Sequence, residues 1–188
     1  MEKIPIIVNP FSRKNIKKKG ASIDIFKRIG GEMVDVRSTE TIEELAAVAE
    51  DCKERTVPYL AISGGDGTLH QVISCFIDAY GPAPIPPVVI LKDGTMNNVS
   101  GTVKLKGGGY SILKRLLGAI ETGRGVDTLT RYSMKIEERY CFLFGTGLTT
   151  NVLNAVYEGG KKGIPKVLKV IIKAFGDGIF RPESSSLY

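Results

Sequence analysis

The chain has 188 residues, of which 43% are hydrophobic, and its 26 basic and 20 acidic residues give a formal net charge of +6. This length supplies one full hydrophobic core and part of a second, so one complete domain is expected. No apolar run approaches the roughly 20 residues of a membrane-spanning helix, and the first residues lack a signal-peptide pattern. We therefore expect a cytoplasmic protein whose basic surface favours anionic partners.

The first half of the chain alternates short apolar runs with helical patterns. The predicted elements are, in order, a strand over 4–8, a helix over 21–29, a strand over 33–36 and a helix over 42–52. Proline cannot continue a strand ladder, so Asn9-Pro10 marks the end of the first strand. Lysines at 14, 17, 18 and 19 form a charge run. Such a run is usually a solvated helix face, and the alternative is contact with an acidic ligand.

A third apolar run, residues 59–62, leads into a glycine-rich loop over 63–68. Apolar residues then recur at helical spacing from Leu69 to Tyr80, which predicts a strand, a loop and a helix in succession. Three glycines in four residues permit positive φ values and leave the backbone open to a docked group. The helix N-terminus attracts anions, so the loop suits a polyphosphate, with Asp66 close to a bridging Mg²⁺. The alternative is a tight turn in which Asp66 or Thr68 caps the helix.

The fold class follows from the order of these elements. After a proline-rich linker, residues 88–91 form a fourth apolar strand, and a second polar loop follows over 92–98. The order βαβαβαβ with short apolar strands predicts an α/β fold, a three-layer parallel sheet with helices on both faces. In such sheets ligands bind beyond the carboxyl ends of the strands. The predicted loops at Asn9, Thr39, Gly64 and Gly94 all lie at that edge.

The pattern changes after one more predicted helix, over 110–120. Residues 126–144 are apolar or alternating, and Glu137-Glu138-Arg139 at their centre has the character of a hairpin turn, which favours antiparallel strands. We place a domain boundary near Gly125, with an α/β domain over 1–125 and a β-rich domain over 126–188. Further helices are expected over 150–156 and 164–175. The lysines of the last helix either contact an anionic membrane or remain in water.

The glycine-rich loop carries a family resemblance. Gly64-Gly65-Asp66-Gly67-Thr68 resembles, residue for residue, the GGDGT signature of the superfamily of diacylglycerol kinases, sphingosine kinases and NAD kinases. It is neither the Walker A motif nor the GxGxxG motif of dinucleotide folds. His70, the only histidine, resembles the sphingosine kinase version of this loop. The alternative role is that of a helix residue near the phosphate loop that transfers no proton.

Two other segments near the same edge resemble lipid kinases. Residues 9–12, Asn-Pro-Phe-Ser, resemble the NPxSG opening of that family, with Arg13 in place of the usual glycine. Arg13 either pairs with phosphate or is solvated. Thr39 matches the threonine that contacts ATP in lipid kinases, and capping of the following helix is the alternative role.

The loop at 92–98 resembles the PLGTGNDFA segment of lipid kinases. Gly94, Thr95 and Asn97 match that segment, whereas Asn98 replaces an aspartate and Lys92-Asp93 depart from the usual leading residues. An asparagine still orients a nucleotide or a hydroxyl, but it contributes no charge to metal binding.

The region after residue 141 resembles the opening of the second domain of lipid kinases. Residues 142–148 resemble the segment that begins the β-sandwich there. Thr149 and Asn151 replace the acidic residues that the family associates with the headgroup of the acceptor.

The resemblance implies a lipid kinase that transfers the γ-phosphoryl group of Mg²⁺-ATP to a lipid hydroxyl. It implies an ATP-binding domain followed by the beginning of an antiparallel β-sandwich, which we expect to be truncated here. In the family, the general base lies in an Asp-Gly-Glu segment of the part of the β-sandwich that is missing. Asp66 is the implied catalytic residue of this chain, and it also positions Mg²⁺. The implied nucleotide-binding residues are Asn9, Ser12, Thr39, Gly64, Gly65, Asp66, Gly67, Thr68, Gly94, Thr95 and Asn97.

The expected partners are ATP and a lipid acceptor at a membrane surface, with peripheral membrane contact and a homodimer left open. No nucleic-acid partner is expected, because no basic stripe with stacking aromatic residues is present. One alternative is a relative of NAD kinase with a soluble acceptor, which the loops at 9–10 and 94–97 disfavour. Another is a non-catalytic module for nucleotide binding or membrane recruitment, which Asn98, Thr149 and Asn151 favour.

Overall fold

The computed structural model describes residues 2–94 and 97–145. The chain divides into two compact units, Met1–Phe142 and Leu143–Tyr188. The first unit contains every helix and strand given below. The domain boundary near Gly125 and the β-sandwich stay predictions, and the helices expected over 150–156 and 164–175 lie outside the described residues. Within the described ranges, no helix is both long and apolar enough to span a membrane.

Four parallel strands form the central sheet, in the order β2-β1-β3-β4. The strands are β1 Ile4–Val8, β2 Val34–Ser38, β3 Leu60–Ser63 and β4 Val88–Ile90. Ile6 of β1 pairs with Val36 on one side and with Ala61 on the other. Every residue of β1 and β3 is buried, because parallel strands covered on both faces are continuously apolar rather than alternating.

Helices cover both faces of this sheet. They are α1 Arg13–Lys17, α2 Ala21–Gly30, α3 Ile42–Glu54, α4 Asp66–Tyr80, α5 Asn98–Thr102 and α6 Gly109–Glu121, with a 3-10 turn at Gly31–Met33. On one face, Ile7 and Ile62 belong to a core with α3 and α4. On the other face, Ile6 packs with Phe26 of α2 and Leu113 of α6. The prediction of a three-layer α/β fold is confirmed for the part of the chain that the structure describes.

Several boundaries differ from the sequence prediction. α4 begins at Asp66 rather than near Leu69, and β2 runs from Val34 to Ser38 rather than over 33–36. The sequence pattern predicts neither α1 nor α5. Each has only five residues, which is too short to show a helical period.

A small antiparallel hairpin packs against α4. Its strands are β5 Met134–Ile136 and β6 Arg139–Cys141, with Ile136 opposite Arg139. Glu137 lies in the turn with φ 52°, so the predicted position of the turn is confirmed. Residues 126–133 have no regular structure, and the antiparallel pairing is therefore shorter than predicted.

Candidate active site

The carboxyl ends of the four parallel strands bring the predicted loops together. The N–H of Asn9, after β1, donates to the carbonyl of Ser63 at the end of β3, at 3.1 Å. The N–H of Thr39, after β2, donates to the carbonyl of Val8 at 3.2 Å. The loop over 92–98 follows β4 at the same edge. The candidate site is thus built on backbone contacts between neighbouring strand ends.

The side chain of Asn9 joins the first loop to the start of α4. Its Nδ2 donates to Thr68 Oγ1 at 2.8 Å, and its Oδ1 accepts the backbone N–H of Phe11 at 2.8 Å. Thr68 is buried in the first turn of α4. Asn9 therefore fixes both its own turn and the loop's position beside the glycine-rich segment.

Gly64 and Gly65 of the GGDGT loop are required for space rather than for positive φ. None of Gly64, Gly65 and Gly67 lies in the left-handed region, which corrects that expectation. A Cβ at Gly64 would lie 2.5 Å from the Cβ of Thr68, and a Cβ at Gly94 would lie 2.2 Å from the Cα of Gly65. A Cβ at Gly67 would meet nothing within 4 Å. Gly64, Gly65 and Gly94 thus allow close packing, while Gly67 leaves the loop surface open.

Asp66 holds the start of another helix. The residue that caps α4 is Gly65, without a side-chain bond, so neither Asp66 nor Thr68 is the cap that the turn interpretation required. Instead, Asp66 Oδ2 accepts the backbone N–H of Asn98 at 2.9 Å, and Oδ1 accepts that of Val99 at 3.1 Å. These N–H groups begin α5 and have no partner within that helix. Asp66 therefore fastens the second loop to the glycine-rich loop.

Asn97 closes the second loop on itself. Its Oδ1 accepts the N–H of Gly94 at 3.1 Å and its Nδ2 donates to the carbonyl of Gly94 at 3.0 Å. Asn97 has φ 52° and ψ 48°, the left-handed conformation that asparagine tolerates better than most residues. Both ends of its amide are therefore engaged with the backbone of the loop. Thr95 lies outside the described residues.

Thr39 is not the helix cap. Thr41 caps α3, because its Oγ1 accepts the N–H of Glu44 at 3.1 Å, while the Glu44 carboxylate accepts the N–H of Glu40 at 2.8 Å. The bond to Thr41 is a side-chain N-cap, and the Glu44 carboxylate adds a bond to the residue just before that cap. Thr39 therefore does not cap α3. It lines a cleft instead.

That cleft has a volume of about 300 Å³ and lies between the strand ends and the first turns of α3 and α4. It brings together three predicted site residues, Asn9, Thr39 and Thr68. Its complete lining is Asn9, Phe11, Thr39, Glu40, Thr41, Ile42, Leu45, Thr68, Gln71 and Val72. Gly64, Gly65, Gly67, Gly94 and Asn97 do not line it. Phe11 is 63% exposed, so its ring is open to a flat ligand at the cleft.

Ser12 and Arg13 follow Phe11 and have polar groups to offer. Ser12 is buried, and its Oγ has no hydrogen-bond partner among the described residues. Buried polar groups are nearly always satisfied, so this hydroxyl fits a ligand atom such as a phosphate oxygen. Arg13 is exposed and has no ionic partner in the described part of the chain, which leaves its guanidinium available.

The sequence that builds this site matches a known protein family. The family model of the diacylglycerol kinase catalytic domain matches residues 3–128. The chain belongs to this family. The match covers all four parallel strands and the GGDGT loop that organises their carboxyl edge.

Two individual proteins are similar to part of this chain. The protein named probable lipid kinase YegS, from Escherichia coli O17:K52:H18 (strain UMN026 / ExPEC), is 26% identical over 151 residues. The alignment covers 77% of this chain and 47% of that protein, so the chain spans about half the length of the curated relative. A diacylglycerol kinase structure from Bacillus anthracis str. Sterne has a TM-score of 0.49 at 20% identity, over 62% of this chain and 40% of that one.

This catalytic domain also contains a buried polar network that sequence reasoning misses. Asn15 Nδ2 donates to the carbonyl of Asn9 at 2.8 Å and lies 3.3 Å from Ser63 Oγ. Ser63 Oγ donates to Asp93 Oδ2 at 2.7 Å, and Lys18 Nζ forms an ion pair with Asp93 Oδ1 at 3.0 Å. The only sequence signal is that Asp93 lies in the polar loop after an apolar strand, at the edge of the sheet where ligands bind.

His70 contacts the hairpin rather than the glycine-rich loop. Its Nε2 accepts the backbone N–H of Phe142 at 3.3 Å, and Ser74 Oγ accepts that of Tyr140 at 2.8 Å. Burial lowers the pKa of His70, and the nearby charge of Asp66 only partly opposes this effect. The neutral imidazole that accepts the Phe142 bond is thereby favoured, which agrees with the interpretation of His70 as a residue that transfers no proton.

Among the predicted site residues that the structure describes, Asp66 is the one whose side chain suits the Mg²⁺ expected for this family. The described part of the chain holds no group of three or more histidine, cysteine or acidic side chains that could bind a metal by itself. Each Asp66 oxygen accepts one backbone N–H, and a carboxylate oxygen keeps a second lone pair. Mg²⁺ typically takes one or two carboxylates together with phosphate oxygens, so Asp66 fits such a shared ion.

Proposed function

We propose that this chain provides the ATP-binding part of a lipid kinase, which transfers the γ-phosphoryl group of Mg²⁺-ATP to a lipid hydroxyl such as that of a diacylglycerol or a sphingoid base. The observation that carries the proposal is the convergence of Asn9, Thr39 and Thr68 on one cleft beside the open surface of Gly67. Membership of the diacylglycerol kinase catalytic domain family supports it.

In this proposal the polar groups around the cleft orient the nucleotide. Thr39 contacts the nucleotide from the β2 side, and Ser12 Oγ and the Arg13 guanidinium contact phosphate oxygens. Gly67 lets the phosphates approach the backbone N–H groups at the start of α4, where the helix dipole favours negative charge. Asn97 and Asp66 keep the second loop in place against the phosphates.

The transfer itself depends on position and charge. The oxygen of the lipid hydroxyl forms a bond to the γ-phosphorus, the bond from that phosphorus to the β,γ-bridging oxygen breaks, ADP leaves with the electron pair, and the hydroxyl proton passes to solvent water. Bound Mg²⁺ would supply positive charge beside the phosphate oxygens. Asp66 positions the ion or accepts a hydrogen bond from the acceptor hydroxyl. Such chemistry requires mainly alignment and electrostatic stabilisation.

A phosphotransfer assay tests the proposal. The purified protein is incubated with Mg²⁺ and γ-labelled ATP together with diacylglycerol micelles, sphingosine micelles or NAD. We expect label in one of the two lipids and none in NAD. Labelled NAD without labelled lipid would favour the soluble-acceptor alternative, and ATP binding without any transfer would favour the non-catalytic module.

A further inference from the structure

One ion pair connects three of the segments that build the candidate site. Lys18 Nζ lies 3.0 Å from Asp93 Oδ1, and only 3% of the Asp93 side chain and 31% of the Lys18 side chain are exposed. Asp93 Oδ2 accepts the hydroxyl of Ser63, and the Asp93 carbonyl accepts the N–H of Lys14 at 3.3 Å. Asp93 thus joins the segment after β1, the end of β3 and the loop after β4.

Lys18 is held in place on its other side. Its ammonium lies 4.4 Å from the ring centroid of Tyr110 on α6, within the range of a cation–π contact. Burial acts to lower the pKa of Lys18, but its contacts with Tyr110 and Asp93 outweigh burial and raise the pKa above its ordinary value. Lys18 is therefore a fixed cation, not a solvated lysine of the charge run and not one free to meet a ligand.

The energetics of buried ion pairs indicate what this pair contributes. Removing two charges from water costs about as much as their attraction returns, so such pairs add little to stability while constraining geometry. The Asp93 carboxylate immediately precedes Gly94, whose backbone contacts Gly65 of the glycine-rich loop. Lys18 follows α1, the helix that begins directly after Ser12. The pair therefore connects the Ser12 segment with the Gly94 loop, alongside the bonds from Lys14 to the carbonyls of Lys92 and Asp93.

We propose that Lys18 and Asp93 are positioning residues, which hold the loop of Asn9 and Ser12 in register with the Gly94 loop and so preorganise the phosphate end of the site. The effect of this ion pair on the order of the loops is inferred from the contacts alone. Its effect on ATP affinity rests on the proposed function.

A double-variant comparison separates positioning from simple stabilisation. Asp93→Asn leaves the partly buried ammonium without its carboxylate and lowers the melting temperature. Adding Lys18→Met removes the unpaired charge, so the melting temperature recovers, since replacing both members of a buried pair is often neutral. The side-chain connection between the segments stays broken, while the backbone bond from Lys14 to Asp93 remains. In the double variant we expect amide exchange at Ser12 and Lys14 to rise, and Mg²⁺-ATP affinity to fall, by about tenfold each, which corresponds to about 1.4 kcal/mol.

The matched control is Lys3→Met with Glu32→Gln, which removes an exposed ion pair of 3.1 Å away from the site. It should change neither exchange at Ser12 and Lys14 nor affinity. A double variant that regains wild-type exchange together with its melting temperature would overturn the inference, because the pair would then act only through stability. If the wild-type protein binds no ATP, the proposed function fails, and the exchange comparison alone still decides whether the pair positions the loops.

Discussion

The carboxylate of Asp66 accepts the backbone N–H of Val99 at 3.1 Å, across two loops that lie far apart in the sequence. Its other oxygen accepts the N–H of Asn98. An asparagine at position 66 would have one acceptor oxygen, and its NH₂ would face the remaining N–H. We expect Asp66→Asn to speed amide exchange at Asn98 and Val99 and to cost about 0.5–2 kcal/mol of stability, as for the loss of a helix cap.

Catalysis gives the second readout for Asp66→Asn. If Asp66 also positions Mg²⁺ or the acceptor hydroxyl, turnover should fall by about 10²–10³-fold, the usual cost of losing a group that stabilises charge in the transition state. Unchanged exchange at Asn98 and Val99 would contradict the fastening role. Turnover within about threefold of wild type would contradict the catalytic role.

Two glycines of the site should respond to alanine in opposite ways. Gly67→Ala adds a methyl group into open space within the first turn of α4, so the protein should keep or slightly raise its melting temperature, since alanine favours helix by up to about 1 kcal/mol over glycine. The same methyl group should hinder a docked phosphate and weaken ATP binding.

Gly94→Ala is the control for crowding, because the added Cβ would lie 2.2 Å from the Cα of Gly65. It should lower the melting temperature, since two backbones would have to separate. Thermal unfolding and ATP titration of both variants check the pair. Unimpaired ATP binding by a stable Gly67→Ala protein would argue against phosphate docking at this loop.

Alanine variants of Thr39 and Thr41 should distinguish ligand binding from helix capping. Thr41→Ala removes the bond to the N–H of Glu44 and should cost about 1 kcal/mol in urea unfolding. Thr39→Ala removes no cap, so it should leave stability nearly unchanged and weaken Mg²⁺-ATP binding. The reverse pattern, with Thr39→Ala destabilising the fold while ATP affinity is unchanged, would show that Thr39 has a structural role only.

His70 should make stability depend on pH. Burial lowers its pKa in the folded state below the ordinary value of 6.5, so the unfolded chain binds the proton more readily. The stability contribution of neutral His70 is therefore complete above pH 6.5 and is lost as the pH falls below that value. Protonation also removes the acceptor for the Phe142 N–H, because both nitrogens of an imidazolium are donors.

The control for this titration is His70→Gln, since His70 is the only histidine in the chain. Urea unfolding between pH 5 and 7 should show a decline with acidification in the wild-type protein that exceeds the decline in the variant. Carboxylates titrate in both proteins and cancel in the difference. Parallel curves would mean that His70 does not carry the effect.

The sheet and its edge could be predicted from sequence because they depend on local patterns. Short apolar runs at Ile4–Val8 and Leu60–Ser63 predict buried parallel strands, and the carboxyl edge then gathers the loops that follow. The GGDGT loop and the turn at Glu137 were equally local signals, since each is set by adjacent residues.

The connections between the loops could not be predicted in this way. Lys18 and Asp93 are 75 positions apart, and a lysine in a charge run gives no sign of the carboxylate with which it pairs. The helix that Asp66 fastens, Asn98–Thr102, has the sequence NVSGT and no apolar period. The Thr41 cap lies two positions after Thr39, for which capping was the alternative role, and predicted helix boundaries often shift by this much.

Calorimetric titration of the protein with ATP, with and without Mg²⁺, tests whether the carboxyl edge of the sheet binds Mg²⁺-ATP. We expect saturable binding that needs Mg²⁺, that Asp66→Ala abolishes and that Gly67→Ala weakens by about tenfold. The exposed variant Lys3→Met should bind as wild type does. Absence of binding by the wild-type protein, or equal affinity in the wild-type and Gly67→Ala proteins, would contradict Mg²⁺-ATP binding at this edge.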